Sequence, residues 1–217
     1  MRGIEAFEKH ATEYDRWYGR YPLAYQSEVE AVRSLIPRGV TAVEVGVGTG
    51  RFALALGVRV GVEPSEAMAA LARQRGISVL RGIAERLPLQ GARLDLVMMI
   101  TTVCFLDDVS LAFEESRRVL APGGHVLVGF IDKESCTGKP IVKQREGGKF
   151  LGAAKFYSTR EILSLLKRAG FLDPKIVQTL FQDPHGLTEL SPVRDGYGEG
   201  MFVVVRGRKA LADDEAP

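Results

Sequence analysis

Hydrophobic positions recur along this chain with two different periods, and the changeovers mark its elements. Ile4, Phe7, Ala11, Tyr14 and Tyr18 fall at three- and four-residue intervals, which predicts an amphipathic helix over 4–18. A second helix is expected over 23–35, after Pro22 and before Pro37, because proline sterics favour those boundaries. Short runs rich in β-branched residues follow at 41–45, 58–62 and 77–80 and read as buried strands. Leu94-Asp-Leu-Val-Met-Met-Ile100 is almost wholly apolar, as a central parallel strand covered on both faces should be. Helical patterns separate the runs: a short one at 51–56, one capped by Ser65 and ended by Gly76, and an amphipathic one at 109–120. Pro122-Gly123-Gly124 turns the chain before a strand at 126–131. Ser158 or Thr159 caps a helix that Gly170 ends, and strands at 176–181 and 200–206 close the pattern. Strands alternating with helices give a doubly wound α/β sheet. One domain is expected over 1–208, with cap helices at 1–36 and a frayed tail at 209–217.

The stretch Thr41-Ala-Val-Glu-Val-Gly-Val-Gly-Thr-Gly-Arg51 organises the rest. A strand runs into Gly46, Gly48 and Gly50, where the backbone can turn tightly and approach a ligand closely, and a helix follows. The glycine spacing is G-x-G-x-G, not the G-x-G-x-x-G that seats a pyrophosphate on a helix N-terminus. Glu44, two residues before the first glycine, disfavours a pyrophosphate and suits a cationic ligand. Glu63 ends the next apolar run, where a carboxylate can accept hydrogen bonds from both hydroxyls of a ribose.

At this point the chain resembles the class I S-adenosylmethionine (SAM)-dependent methyltransferases. Glu44-Val-Gly-Val-Gly-Thr-Gly50 matches their first motif and Val62-Glu-Pro-Ser65 their acidic second-strand end. Ala11-Thr-Glu-Tyr-Asp-Arg-Trp17 is similar to the A-x-x-Y-D start of small-molecule members, in which this helix caps the cofactor pocket. Tyr14 would then approach the ligand; it could equally anchor the helix to the core. The match over Arg118–Val128 to R-V-L-x-P-G-G-x-hydrophobic is close, as is Phe156–Phe171 to the F-[FY]-[ST]-x-x-E-[LI] helix ending in A-G-F. The resemblance implies a seven-stranded Rossmann-like sheet of order 3-2-1-4-5-7-6 with strand seven antiparallel. It implies SAM as cofactor, at Tyr14, Glu44, Gly46, Gly48, Gly50, Glu63 and Pro64, with Ile100 and Thr101 beside the methionine part. Arg81-Gly-Ile-Ala-Glu-Arg-Leu-Pro88 resembles the family's G-D-A-x-x-L-P, but Ile83 stands where an Asp commonly binds the adenine amino group. Ile83 can pack on adenine, and the hydrogen bonds would then come from the backbone near Ala84 or from Glu85.

The implied reaction is direct in-line transfer of a methyl group to a small-molecule acceptor. It needs no protein nucleophile, and a base only if the acceptor arrives protonated. His185 and Tyr157 are the candidate bases, ahead of His10 and His125. Cys104 reads as a small buried hydrophobe, not a catalytic thiol. Residues 132–155 are polar, glycine-rich and basic, and could form a substrate lid or a plain solvated loop. Two isolated cysteines fit neither a disulfide framework nor a zinc site, and no metal is expected. A net charge of +2 gives no footprint for nucleic acid, and no Asn/Asp-Pro-Pro-aromatic element follows strand four. No apolar run is long enough to span a bilayer and no signal core opens the chain, so a cytoplasmic location is expected. The competing readings are a SAM-binding protein without catalysis and a methyltransferase acting on a protein.

Overall fold

Pro22 sits in the first turn of α2 (Pro22–Leu35), where its missing N–H costs no hydrogen bond, and separates it from α1 (Ile4–Arg20). The computed structural model describes residues 3–145 and 148–211. Beyond the two helices come β1 (Ala42–Val45), α3 (Arg51–Leu56), β2 (Val60–Glu63), α4 (Glu66–Gln74) and β3 (Ser78–Arg81). Then follow β4 (Leu94–Ile100), α5 (Val109–Val119), β5 (Leu120–Ile131), α6 (Gly138–Arg145) and α7 (Thr159–Arg168). Strands β6 (Phe171–Thr179), β7 (Arg194–Asp195) and β8 (Phe202–Lys209) complete the described chain.

The strands form one sheet of order β3-β2-β1-β4-β5-β8-β6-β7. The first five pair in parallel, and β8 is antiparallel to both β5 and β6. This is the expected doubly wound sheet, with β8 as its antiparallel seventh strand. The eighth strand, β7, was not expected. It is two residues long, pairs with Val177 and Gln178, and is too short to leave a hydrophobic pattern.

Four boundaries also differ from the sequence reading. β6 begins at Phe171, five residues early, because Asp173 adopts φ 51° and the register shifts between Leu172 and Lys175. This bulge hides the strand's start behind polar residues. Pro122-Gly123-Gly124 makes a bulge inside β5 and not a turn before it: Leu120 pairs with Leu94, and His125 already pairs with Leu96. Residues 132–155 contain α6 and are not a plain loop. Lys209 closes β8 and donates to the carbonyls of Arg117 and Leu120, so the frayed tail does not start there; residues 212–217 lie outside the described residues.

Both faces of the sheet are covered. Val43, Val45, Val97, Met99, Val126 and Val128 point to one side, against Phe113 of α5 and Ile162 and Leu166 of α7. Leu96, Met98, Ile100, Leu127 and Val204 point to the other, against Val29 and Val32 of α2 and Phe52 of α3. Burial on both faces is why β4 reads as an unbroken apolar run. Ser158 caps α7 in a full capping box, its hydroxyl accepting from the Glu161 amide while Glu161 accepts from the Ser158 amide.

Helix α1 lies across the sheet edge and is fastened by Asp15. This carboxylate accepts from Thr49 Oγ1 at 2.6 Å, Arg51 Nη2 at 2.7 Å and Arg75 Nη2 at 2.7 Å. Partial burial opposes its ionisation, but Arg51, Thr49 and Arg75 outweigh that and hold its pKa at about 2. A carboxylate whose folded pKa lies below its unfolded value adds stability above pH 4, and the contribution fades as pH falls towards 2. Asp15→Asn should therefore lower Tm by roughly 3–8 °C at pH 7, with the gap to the parent closing between pH 4 and 2. Thermal unfolding across that range checks it. An unchanged Tm would show that the apolar contacts of α1 hold it without the ion pairs.

Candidate functional site

The chain reverses its direction of winding between β1 and β4, the neighbours at the centre of the sheet. The crevice outside the carboxyl ends of such strands is where open α/β sheets take ligands. The loop Gly46–Gly50 lies there. The amides of Gly46 and Val47 both donate to the Val62 carbonyl, at 2.8 and 3.1 Å, which ties the loop to the end of β2. All three glycines have positive φ. Their surroundings differ, however. A Cβ on Gly46 would meet the Thr102 side chain at 2.5 Å, and one on Gly50 would meet Ala72 at 3.0 Å. A Cβ on Gly48 would have no closer neighbour than the Gly46 oxygen at 4.0 Å. Gly46 and Gly50 are thus required by packing, whereas Gly48 faces open space.

Glu63 accepts from the Gly48 amide at 2.9 Å and the Ser65 amide at 3.0 Å. Burial raises its pKa, the two amides oppose the rise, and the nearby Glu8 adds to it. Pro64 carries the chain from Glu63 into Ser65, which caps α4 by accepting from the Met68 amide. Glu44 was expected beside the loop as an anion. The structure places it under the loop, 2% exposed, with Oε2 lacking a hydrogen-bond partner. Burial pushes its pKa well above the ordinary carboxylate value, the Ala53 amide opposes the rise, and Glu63 adds to it.

The turn after β3 holds the other sequence candidates. Ile83 is exposed and bridges to Arg86, while Ala84 is buried against Val62 and Leu87. Glu85 Oε1 accepts from the amides of Asp107 and Asp108, tying this turn to the start of α5, and its Oε2 is buried without a partner. At the end of β4, Ile100 is buried and Thr101 takes φ 52°. Its amide donates to the Gly129 carbonyl at 2.7 Å and its hydroxyl to the Ile100 carbonyl.

Beside Thr101 opens a cavity of about 660 Å³, the size of a small-molecule site. Tyr14 and Thr101 line it; the glycines, Glu63 and the β3 turn lie outside its wall. Tyr157 and His185 also border it, whereas His10 and His125 do not. His185 Nδ1 is 2.8 Å from the Asp183 carboxylate, and its ring packs edge-on to Tyr21 at 4.6 Å. The hydroxyls of Tyr14 and Tyr18 are 3.0 Å apart, and burial raises the pKa of both. Lys149 pairs with Glu13 at 2.7 Å across the cavity rim, and Phe150 packs against Phe7 and Tyr14.

Sequence reasoning missed Asp15, Thr49, Arg51 and Arg75, which fasten α1, and Glu28, a buried acid on α2 at the cavity wall. Asp15 had a visible signal, since it stands beside Tyr14 in the Tyr-Asp pair of the N-terminal motif. Its partners lie 34 to 60 residues away and had none.

The two thiols are chemically distinct. Burial pushes the Cys104 pKa up to about 12, and Cys104 Sγ donates to the Thr101 carbonyl at 3.4 Å. Cys136 is exposed. Iodoacetamide at pH 8 should alkylate Cys136 and spare Cys104 by at least about tenfold in rate. Peptide mapping reads this directly, and equal labelling would contradict the inert, buried assignment of Cys104.

A family model described as a methyltransferase domain matches residues 43–128. That span covers the glycine loop, Glu63, the β3 turn and the end of β4. A SAM-dependent methyltransferase from Thermotoga maritima, described as a possible histamine N-methyltransferase, is 47% identical and superposes with a TM-score of 0.92, over 95% of this chain and 99% of that one. An uncharacterised protein of Methanocaldococcus jannaschii is 37% identical over 95% of this chain and its own full length. The malonyl-[acyl-carrier protein] O-methyltransferase of Geobacter sulfurreducens is 31% identical over 76% of this chain and 68% of its own length. With its strand–glycine-loop–helix opening, its acidic β2 end and its antiparallel last strand β8 beside β5, the chain belongs to the class I SAM-dependent methyltransferases and uses S-adenosylmethionine as cofactor.

Proposed function

We propose that this methyltransferase acts on a small molecule held in the cavity beside Thr101, with SAM bound across the Gly46–Gly50 loop. The observation that carries the reading is the contrast among the glycines. Packing crowds Gly46 and Gly50, whereas Gly48, held at φ 53°, leaves open space on the side where Glu63 stands, room for a ligand to approach the backbone. Glu63 stands next to that open side with lone pairs left over after its two amide bonds, which suits a ribose diol. Ile83 and Ala84 offer an apolar wall and backbone groups for the adenine, and Glu85 Oε2 a further acceptor. Ile100, Thr101 and Tyr14 would flank the methionine part, with Pro64 and the buried Glu44 shaping the loop from the side and below.

SAM supplies a methyl group already activated on a sulfonium. The chain's own residues have to orient an acceptor and exclude water, which can be worth several kcal/mol in a well-aligned site. Helix α1 and the segment 132–155 serve as the lid for this purpose. Their contact through Lys149–Glu13 and the Phe150 cluster closes the cavity on the side away from the sheet.

Calorimetry should find SAM and S-adenosylhomocysteine binding in the micromolar range or tighter, about −8 kcal/mol, and no NAD binding. Glu63→Ala should weaken SAM at least about tenfold by removing charge-assisted bonds. Gly48→Ala should weaken SAM and lower Tm by the backbone strain of φ 53° alone, whereas Gly46→Ala should lower Tm further because its Cβ also meets Thr102. SAM binding unaffected by both Glu63→Ala and Gly48→Ala would overturn this placement. Turnover is read as S-adenosylhomocysteine release over a library of small acceptors; turnover confined to protein-borne acceptors would overturn the small-molecule reading.

A further inference from the structure

The chain has 10 Phe, 6 Tyr and 1 Trp, and nine of these line the cavity beside Thr101. They come from separate parts of the fold: Trp17 and Tyr18 from α1, Phe105 after β4, Phe130 from β5, and Phe150 and Tyr157 from the segment before α7. Neighbouring rings stand close to perpendicular. Tyr14 meets Phe150 at 5.4 Å and 70°, Tyr14 meets Tyr18 at 5.7 Å and 78°, and Trp17 meets Tyr18 at 5.4 Å and 90°. Where one ring turns its face to the interior, its neighbour turns an edge. Faces are electron-rich and edges electron-poor. Charge on the wall is kept to the rim, since Glu13, Arg16, Arg20 and Lys149 are all exposed. Glu28 interacts within the chain. Burial raises the pKa of the Tyr14 and Tyr18 hydroxyls, so both stay protonated at neutral pH. The buried part of the wall, with Val103, Phe105, Phe130, Tyr157 and Met201, is aliphatic or aromatic.

We infer that the acceptor carries an aromatic ring, seated against the rings of α1 and Phe150, with the group to be methylated on the Thr101 side. This deepens the small-molecule reading above and rests on it. A wall that alternates faces and edges rewards a guest that has both. An aromatic ring continues the edge-to-face packing on every side, and each such pair is worth more than the area it buries. A saturated ring of the same size fills the space and gains only the area. A linear alkyl chain gains the area and loses the freedom of its rotatable bonds as well. The aromatic ring is rigid and loses none.

Trp17, the chain's single tryptophan, lines the cavity, so its fluorescence reports occupancy without cofactor or turnover. The probes are 2-phenylethanol, 2-cyclohexylethanol and 1-octanol, which share one hydroxyl and the same number of carbons. Transfer out of water by itself favours the two saturated alcohols, which have more apolar surface to bury. The parent protein should reverse that order and bind 2-phenylethanol at least about threefold tighter than either. Phe150→Leu keeps an apolar side chain at the lid and removes its ring. It should weaken 2-phenylethanol at least about twofold and leave 2-cyclohexylethanol unchanged. Equal or tighter binding of a saturated alcohol to the parent protein would overturn the inference, and this comparison needs no variant to fold. A ring preference that survives Phe150→Leu undiminished in a folded protein would overturn the part given to Phe150. Methyl transfer from SAM confined to saturated acceptors would also overturn the aromatic assignment. Ring-selective binding without transfer to any acceptor would instead count against the small-molecule methyltransferase reading.

Discussion

The cavity depends on the placement of helix α1, which the Asp15 carboxylate ties to three other segments. Asp15 joins α1 to Thr49 of the glycine loop, Arg51 at the start of α3 and Arg75 just past α4. Six of the cavity-lining residues, from Glu13 to Arg20, belong to that helix. Without it the crevice at the switch point would be an open edge of the sheet. The same contact fixes the glycine loop from outside, while the Val62 carbonyl fixes it from within. A second fastening, Ser65 Oγ donating to Glu8 at 2.6 Å, holds the N-terminal half of α1 over α4. The helix departs from helical geometry at His10, between these two anchors. Binding of any ligand across the loop is therefore coupled to the position of α1, because Thr49 belongs to both.

Much of this architecture was legible in the sequence because it rests on local rules. The unbroken apolar run of β4, the glycines after β1 and the caps at Ser65 and Ser158 each act within a few residues, and each appears where the pattern placed it. What escaped depends on contacts distant in sequence or on local irregularity. β7 is two residues held by β6 alone. The start of β6 is masked by a bulge at Asp173, and the glycines before β5 bend a strand that pairing with Leu94 has already begun. α6 sits in a polar segment with no strong periodicity.

The site divides along the same line. The spacing of Gly46, Gly48, Gly50 and Glu63 was visible, and the structure does bring the four together. It does not, by sequence alone, separate the glycines by purpose; Thr102 and Ala72, which crowd Gly46 and Gly50, come from other elements. In sequence Glu44 reads as a charge beside the glycine loop and Glu28 as a polar position in an amphipathic helix. Both are buried because α2 and α3 close over the β1–β4 face of the sheet. Burial then changes the chemistry of Glu44, whose pKa it raises well above the ordinary carboxylate value.

The buried acids are compensated to different degrees, and the differences follow the site. Asp132 accepts from Thr159 Oγ1 at 2.7 Å and from the Glu134 amide at 2.8 Å, which makes it a structural anchor for the start of α7. Glu63 is held by two amides of the loop it serves. Glu44 keeps one oxygen without a partner, and its burial raises its pKa well above the ordinary carboxylate value. Like charges in one low-dielectric region raise one another's pKa, so ionising any one of them makes the next harder to ionise. A cation delivered to this region relieves that repulsion as well as forming its own contacts. SAM carries such a positive charge on its sulfonium. Among the described residues the buried ionisable side chains are all acids, and this acidic interior at the switch point lowers the cost of holding the sulfonium.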